Sequence, residues 1–146
     1  MILQPVSGYT FDPDGEAQVV SFTADPSGNL STTNTRAQMP LSSVGLVVST
    51  RMSPGGDLLA VGGSRGLQIF HFNGAAPATH FTGIIGQVPI DQMFWDKQDH
   101  LYALSQSGGK LFVFTVTPGG VRQATGSPHR IVSPGNLIVQ PLPVYQ

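Results

Sequence analysis

The ionisable side chains of this chain are few, and none falls at a spacing that defines a reaction. Four histidines and eight carboxylates are spread over 146 residues. Asp12, Asp14 and Glu16 alternate like the start of a calcium loop, but no bidentate glutamate follows, so a turn between strands is the better interpretation. No histidine pairs with a second ligand at a zinc spacing, and no Gly-x-Ser-x-Gly nucleophile elbow is present. We therefore predict no metal site and no cofactor.

The composition excludes several classes of partner. Only 10% of the residues are charged and the formal net charge is -1, so the sequence lacks the excess of basic residues that binds nucleic acid. No apolar run is long enough to span a bilayer, and no basic amphipathic stretch suits a membrane surface. The chain has no cysteine, which rules out disulfides and thiolate chemistry. The first residues lack the pattern of a signal peptide. We expect a soluble protein, either cytoplasmic or exported with its leader removed.

A repeat of about 45 residues organises the chain. Met52–Val61 superposes on Trp95–Leu104 at a constant offset of 43 residues, turn residues on turn residues and apolar run on apolar run. The following run, Leu67–Phe72, superposes on Leu111–Val116 at an offset of 44. Gln18–Thr23 matches that same run at an offset of 48. The second run of each copy hardly alternates, which indicates a strand buried on both faces.

Four short strands per copy at this period are typical of a β-propeller blade, and a β-sandwich with coincidental spacing is the competing interpretation. The predicted fold class is therefore all-β, with blades of four antiparallel strands and about three blades' worth of chain. The strands of the two full copies are predicted at Leu46–Met52, Leu58–Val61, Leu67–Phe72 and His80–Ile84, and at Gln92–Trp95, Leu101–Leu104, Leu111–Val116 and Arg122–Thr125. The predicted units are a partial blade at 6–40 that begins with a strand at Val6–Phe11, blades at 44–85 and 88–127, and a closing strand at 134–142.

The turn and run of the middle copy point to a family. Ser53–Val61 followed by Leu67–Phe70 resembles the blade motif of lactonase-type (YVTN-like) propellers, and Phe22–Leu30 is similar to that family's exit from the third strand. Gly56 and the turn Trp95–Gln98 depart from the motif. The resemblance implies a seven-bladed propeller fold and, for members like 6-phosphogluconolactonase, the hydrolysis of a sugar lactone. It is poorly specific for function, because a blade motif marks the fold.

In such a fold the innermost strand of each blade lines a central channel, and loops converge at its mouth. The polar residues on or beside the predicted inner strands are Arg51, Asp91, Gln92 and Asp96, with Trp95 as an aromatic platform. Of these, Gln92, Trp95 and Asp96 are the candidates for ligand binding. A lactonase needs an electrophilic group for the carbonyl and a base for water, and Arg51 and Asp91 are the candidates for these roles. Their structural alternatives are a salt bridge for Arg51 and a turn cap for Asp91.

Three functions remain open at this stage. The first is a binding or scaffold propeller, the second a lactone hydrolase, and the third a structural fragment that assembles with another chain. Low charge content favours the first, and we expect no enzyme activity from this chain alone. Three blades cannot close a ring, so we expect either that this is the C-terminal portion of a longer propeller whose missing blades a partner chain supplies, or that the chain self-associates. A possible ligand is a small molecule related to a sugar lactone.

Overall fold

The fold consists of short antiparallel strands joined by tight turns. The structure, a computed structural model, describes residues 2–5 and 17–140. Every regular element in these ranges is a strand, which confirms the all-β prediction. No helix in the described ranges is long and apolar enough to cross a membrane. The strands are β1 Ile2–Pro5, β2 Ala17–Val20, β3 Thr23–Ala24, β4 Leu30–Ser31, β5 Leu41–Ser42, β6 Val47–Met52, β7 Leu58–Gly63, β8 Gly66–His71, β9 Thr79–His80, β10 Gln92–Trp95, β11 His100–Ser105, β12 Lys110–Thr117, β13 Gly120–Gln123 and β14 His129–Arg130.

Three main sheets follow one another along the chain. Sheet I has the order β1-β2-β5, with the hairpin β3-β4 beside it, and sheet II has the order β6-β7-β8-β9. Sheet III has the order β10-β11-β12-β13, with β14 also paired to β12. Sheets II and III are the two predicted four-stranded copies. Their hairpins form because glycines occupy the turns: in sheet II, Gly63 pairs with Gly66, whose φ of 145° favours glycine.

The first turn of sheet III is one residue shorter than that of sheet II. The backbone N–H of Leu58 donates to Ser53 Oγ at 3.0 Å, whereas the N–H of His100 donates to Asp96 Oδ1 at 2.9 Å. His100 therefore takes the place of Leu58, and the predicted constant offset of 43 is wrong for this strand. Because side chains alternate between faces, this slip of one residue turns Leu101 toward sheet II instead of away from it.

The third strand of each unit makes the same type of hydrogen bond at the equivalent position. A backbone N–H within this strand in sheets II and III, and one residue after β2 in sheet I, donates to a side-chain oxygen of the chain that follows. This bond replaces a ladder bond where the fourth strand is interrupted. These donors are spaced by 48 and 44 residues, in agreement with the predicted register. The three bonds run from Ser21 N to Asn34 Oδ1 at 3.0 Å, from Ile69 N to Thr82 Oγ1 at 2.9 Å, and from Val113 N to Ser127 Oγ at 2.9 Å.

Sheet II is packed on both faces. One face contributes Leu59, Val61 and Phe70 to a core shared with sheet I, and the other contributes Ala60, Leu67 and Ile69 to a core shared with sheet III. Its third strand β8 is accordingly buried at every position except its last. The equivalent β12 alternates between buried and half-buried or exposed residues, because among the described residues another sheet covers only one face of sheet III.

The first and last predicted units differ from their predicted bounds. The predicted strand at Val6–Phe11 and the acidic turn Asp12–Glu16 lie outside the described residues, and strand β1, Ile2–Pro5, precedes the predicted first unit. Residues 134–140, the described part of the predicted closing strand, are not in a strand. Closure into a ring and the number of blades stay predictions.

Candidate functional site

The sequence-predicted site residues divide between two ends of the inner strands. Strands β6 and β10 lie beside each other, and both lead into equivalent turns. Arg51, Trp95 and Asp96 lie at or next to those turns, whereas Asp91 and Gln92 lie where β10 begins. Five positions along an extended strand span about 16 Å, so Asp91 and Asp96 cannot act on one small ligand. The structure therefore places Arg51, Trp95 and Asp96 at one end of the inner strands and Asp91 at the other.

Arg51 and Trp95 are joined through the backbone rather than through a shared open surface. The indole Nε1 of Trp95 donates to the carbonyl oxygen of Arg51 at 3.3 Å. The Trp95 side chain is only 7% exposed and belongs to the core between sheets II and III, so it packs inside instead of forming an aromatic platform. The guanidinium of Arg51 is exposed and donates to the carbonyl oxygen of Thr50 at 2.8 Å.

Asp91 and Gln92 hold the backbone at the opposite end. Asp91 Oδ2 accepts from the N–H of Gln106 at 2.7 Å, which caps the β11–β12 turn. Gln92 Nε2 donates to the carbonyl oxygen of Gly135 at 3.0 Å, and Gln92 Oε1 accepts from the N–H of Leu137 at 2.8 Å. Both side chains are thus engaged in fixing local structure, which is the turn-cap alternative considered for Asp91.

The densest cluster of ionisable side chains lies in the β10–β11 turn. Asp96 Oδ2 accepts from His100 Nδ1 at 2.8 Å and from the Tyr102 hydroxyl at 3.1 Å. Asp96 Oδ1 accepts from the backbone N–H groups of Gln98 and His100, each at 2.9 Å. The Asp96 side chain is 11% exposed and that of His100 37%. Asp96 was a predicted ligand-binding residue, while His100 and Tyr102 were not singled out as site residues.

The hydrogen bonds fix the charge of Asp96. Burial is the largest single influence on its pKa and acts to raise it, but the bonds from the His100 backbone, the His100 ring and Gln98 together outweigh burial and hold the pKa below its usual range. Burial, followed by the bond and the negative charge of Asp96, raises the pKa of Tyr102. Because the ionised carboxylate only accepts, His100 Nδ1 carries a proton, and Nε2 of the neutral ring is an acceptor.

Part of this arrangement is a turn motif that the chain uses elsewhere. Asp25 accepts from the backbone N–H groups of Ser27 and Asn29 at 2.8 Å each, and from the Asn29 side chain at 2.8 Å. Asn29 takes the place of His100 there. An aspartate with a polar residue four positions later is therefore sufficient for the turn, and the spacing from Asp96 to His100 is the sequence signal that could have identified the pair.

A shallow groove lies next to the cluster on the outer face of sheet III. Its volume is about 380 Å³, and Thr115, Thr117 and Arg122 contribute its polar lining. The register pairs His100 with Thr115 and Thr115 with Arg122, so these three side chains form a row on one face, about 5 Å apart from strand to strand. The row combines an imidazole, a hydroxyl and a guanidinium beside an open space.

This arrangement supplies the parts of a binding site and of one catalytic function. Hydroxyls and a guanidinium bind hydroxylated or anionic ligands, and a histidine oriented by a carboxylate is a general base. Within residues 2–5 and 17–140, no three histidine or carboxylate side chains come together in a way that could hold a metal ion. No family model, curated protein or solved structure gave a significant match to the chain, so the likeness to lactonase-type propellers rests on the blade motif alone.

Proposed function

We propose that the chain is a binding module of the β-propeller type, in which four-stranded sheets stack face to face and present their turns to a ligand. The observation that supports this most is the position of sheet II, which is enclosed between two neighbouring sheets of the same repeat. Inner strands β6 and β10 lie beside each other, as neighbouring blades of a propeller require.

The ligand-binding end in this proposal is the end that carries the Asp96 turn. Thr115 and Arg122 line the groove there and His100 is paired with Thr115, whereas Asp91 at the other end is a backbone cap. Hydroxyl groups and a guanidinium suit the hydroxyls and the carboxylate of a sugar acid or its lactone. That is also the ligand class that the family resemblance implies.

Nuclear magnetic resonance tests this proposal. The ¹⁵N-labelled chain is titrated with glucono-δ-lactone and separately with gluconate, and amide shifts are followed. We expect changes confined to residues 96–100 and 115–122, and their loss in Arg122→Ala. Arg130→Ala is the matched control, because Arg130 is also exposed and lies on the outer strand β14. No shift changes at millimolar ligand, or equal losses in both variants, would contradict the proposal.

A second candidate function, lactone hydrolysis, is favoured by the contact between Asp96 and His100. In this scheme His100 Nε2 takes a proton from a water molecule while the water oxygen adds to the lactone carbonyl carbon. The ring C–O bond then breaks, and the proton passes to the departing alkoxide. Asp96 stabilises the imidazolium that forms in between, and Arg122 faces the developing negative charge. These roles replace those first considered for Arg51 and Asp91.

A pH-stat assay separates the two functions. Hydrolysis of glucono-δ-lactone is measured above the buffer rate for the wild-type chain, for His100→Ala and for His129→Ala. The hydrolase function predicts a loss of about 100-fold or more in His100→Ala and no loss in His129→Ala, since His129 is exposed on β14. Binding without any enzyme-dependent acid release supports the binding module and rejects the hydrolase.

A further inference from the structure

Strand β1 has an open edge in sheet I. Its partner is β2, and sheet I has the order β1-β2-β5. In sheets II and III the equivalent strands β7 and β11 pair on that same edge with the inner strands β6 and β10. Among the residues that the structure describes, no strand takes this inner position in sheet I. An unpaired strand edge is a template for an added strand.

The segment 134–140 lies where the inner strand of a further unit belongs. Gln92 holds it against β10 through Gly135 and Leu137, and Gln106 Nε2 also donates to the Gly135 carbonyl oxygen. The repeat aligns the segment with residues 89–95 at an offset of 45, so that Ile138 corresponds to Met93. Met93 is 2% exposed in the core between sheets II and III, whereas Ile138 is 86% exposed.

The chain's own segment cannot fill its own open edge. Sheet II packs against sheet I on one face and against sheet III on the other. Packed sheets are about 10 Å apart, so β1 and the segment beside β10 are separated by about 20 Å of stacked sheet or more. The described segment 134–140 can therefore reach such an edge only in a second molecule.

We propose that the segment 134–140 of one copy adds to β1 of a second copy as the inner strand of its sheet I. The register follows from the repeat. Leu3 pairs with Val19 as Leu104 pairs with Leu111, so Leu3 is equivalent to Leu104. Leu104 also pairs with Gln92, and Leu137 is equivalent to Gln92. Leu137 then lies opposite Leu3, and Ile138 opposite Ile2. This docking does not depend on which ligand the module binds, but the groove of Thr115 and Arg122 lies on the same face of sheet III and would then lie at the interface between the two copies.

The donated strand also places a sheet on the open face of sheet III. Phe94, Tyr102 and Val113 are half-buried on that face, which corresponds to the face of sheet II that sheet III covers. Sheet I of the second copy receives the donated strand as its inner strand, and this sheet stacks on the open face of sheet III. Two copies that exchange strands reciprocally have a two-fold axis and six four-stranded units, within the range of roughly four to eight units in closed propellers.

Cysteine cross-linking tests the register directly, because the natural chain has no cysteine. Ile2→Cys and Ile138→Cys are prepared separately, mixed and oxidised. Facing residues in an antiparallel pair have Cα atoms about 4.5–5.5 Å apart, within reach of a disulfide. We expect a covalent heterodimer at a yield at least about tenfold above that of the control mixture of Ile2→Cys with Val132→Cys. Val132 is 90% exposed, which matches the exposure of Ile138.

Light scattering of the unmodified chain gives the second readout. We expect a mass of twice 15.4 kDa at tens of micromolar protein. Ile138→Pro removes a strand N–H donor and should give the mass of one chain with the circular dichroism spectrum unchanged, whereas Val132→Pro should remain a dimer. If Ile2→Cys fails to fold, the pair Leu3→Cys and Leu137→Cys replaces it. A single-chain or larger mass for the unmodified protein, or equal cross-linking with Val132→Cys, overturns the proposal.

Discussion

Gly62 is a point of close approach between sheets II and III, and replacing it with alanine should destabilise the protein measurably. An added Cβ would lie 2.8 Å from Ile90 Cγ2, 3.2 Å from Ile90 Cβ and 3.3 Å from Met93 Cε. Carbon atoms prefer about 3.5–4.0 Å, and Ile90 is only 1% exposed, so little space is available for adjustment. Overpacking of this kind costs about 1–3 kcal/mol of unfolding free energy.

Urea denaturation followed by circular dichroism measures this cost. Gly83→Ala is the control, because a Cβ there meets nothing within 4 Å and Gly83 is exposed; its change should stay within about 0.5 kcal/mol. Adding Ile90→Val to Gly62→Ala should recover part of the loss, since the first clash is with Ile90 Cγ2, so the two changes should be non-additive. Equal stability of Gly62→Ala and Gly83→Ala would show that the sheets do not stack as described.

Three further changes test other parts of the structure. Asp96→Asn should lower the free energy of unfolding by about 1–3 kcal/mol at neutral pH. Because the folded-state pKa of Asp96 is lowered, its stabilisation is present above about pH 4 and is lost as pH falls through the folded value, so wild type and variant should converge in urea titrations as the pH is lowered below that value. At a dilution where light scattering gives the mass of one chain, Ile69→Ala, at a position with no exposed surface, should cost about 2–5 kcal/mol of unfolding free energy. Val113→Ala on the open face of sheet III should cost less than half as much there; equal losses in the single chain would contradict an open face. Asn34→Ala removes a buried acceptor of the third-strand N–H and should cost about 1–3 kcal/mol, with faster amide hydrogen exchange at the unpaired N–H as the second readout.

The sequence predicts the strands well where glycine turns and apolar runs coincide. The observed β8, Gly66–His71, differs from the predicted Leu67–Phe72 by one residue at each end. The direction in which each strand's side chains face is harder to predict from the sequence. An alignment of the two copies without a gap still matches apolar residues to apolar residues when one turn is a residue shorter. It therefore does not show the shorter turn before His100, and it assigns Leu101 to the wrong face of sheet III.

The candidate site was harder to predict because its main pair resembles ordinary turn chemistry. The spacing from Asp96 to His100 matches the spacing from Asp25 to Asn29 in the β3–β4 turn. The separation of Arg51 from Asp91, in contrast, was already contained in the repeat. Arg51 precedes the turn at the end of its inner strand, and Asp91 precedes the start of the next inner strand, so repeated units place them at opposite ends.

The difference between β8 and β12 links the fold to the proposed assembly. The two strands are equivalent in the repeat and both were predicted to be buried on both faces, yet only β8 is. Leu111 and Val113 on β12 are equivalent in the repeat to Leu67 and Ile69 of sheet II, and sheet III covers the side chains of Leu67 and Ile69. Apolar side chains at positions that are covered one repeat earlier indicate a neighbouring sheet, because burying them removes apolar surface from water. A second copy that receives the segment 134–140 provides that sheet in the orientation which the repeat requires.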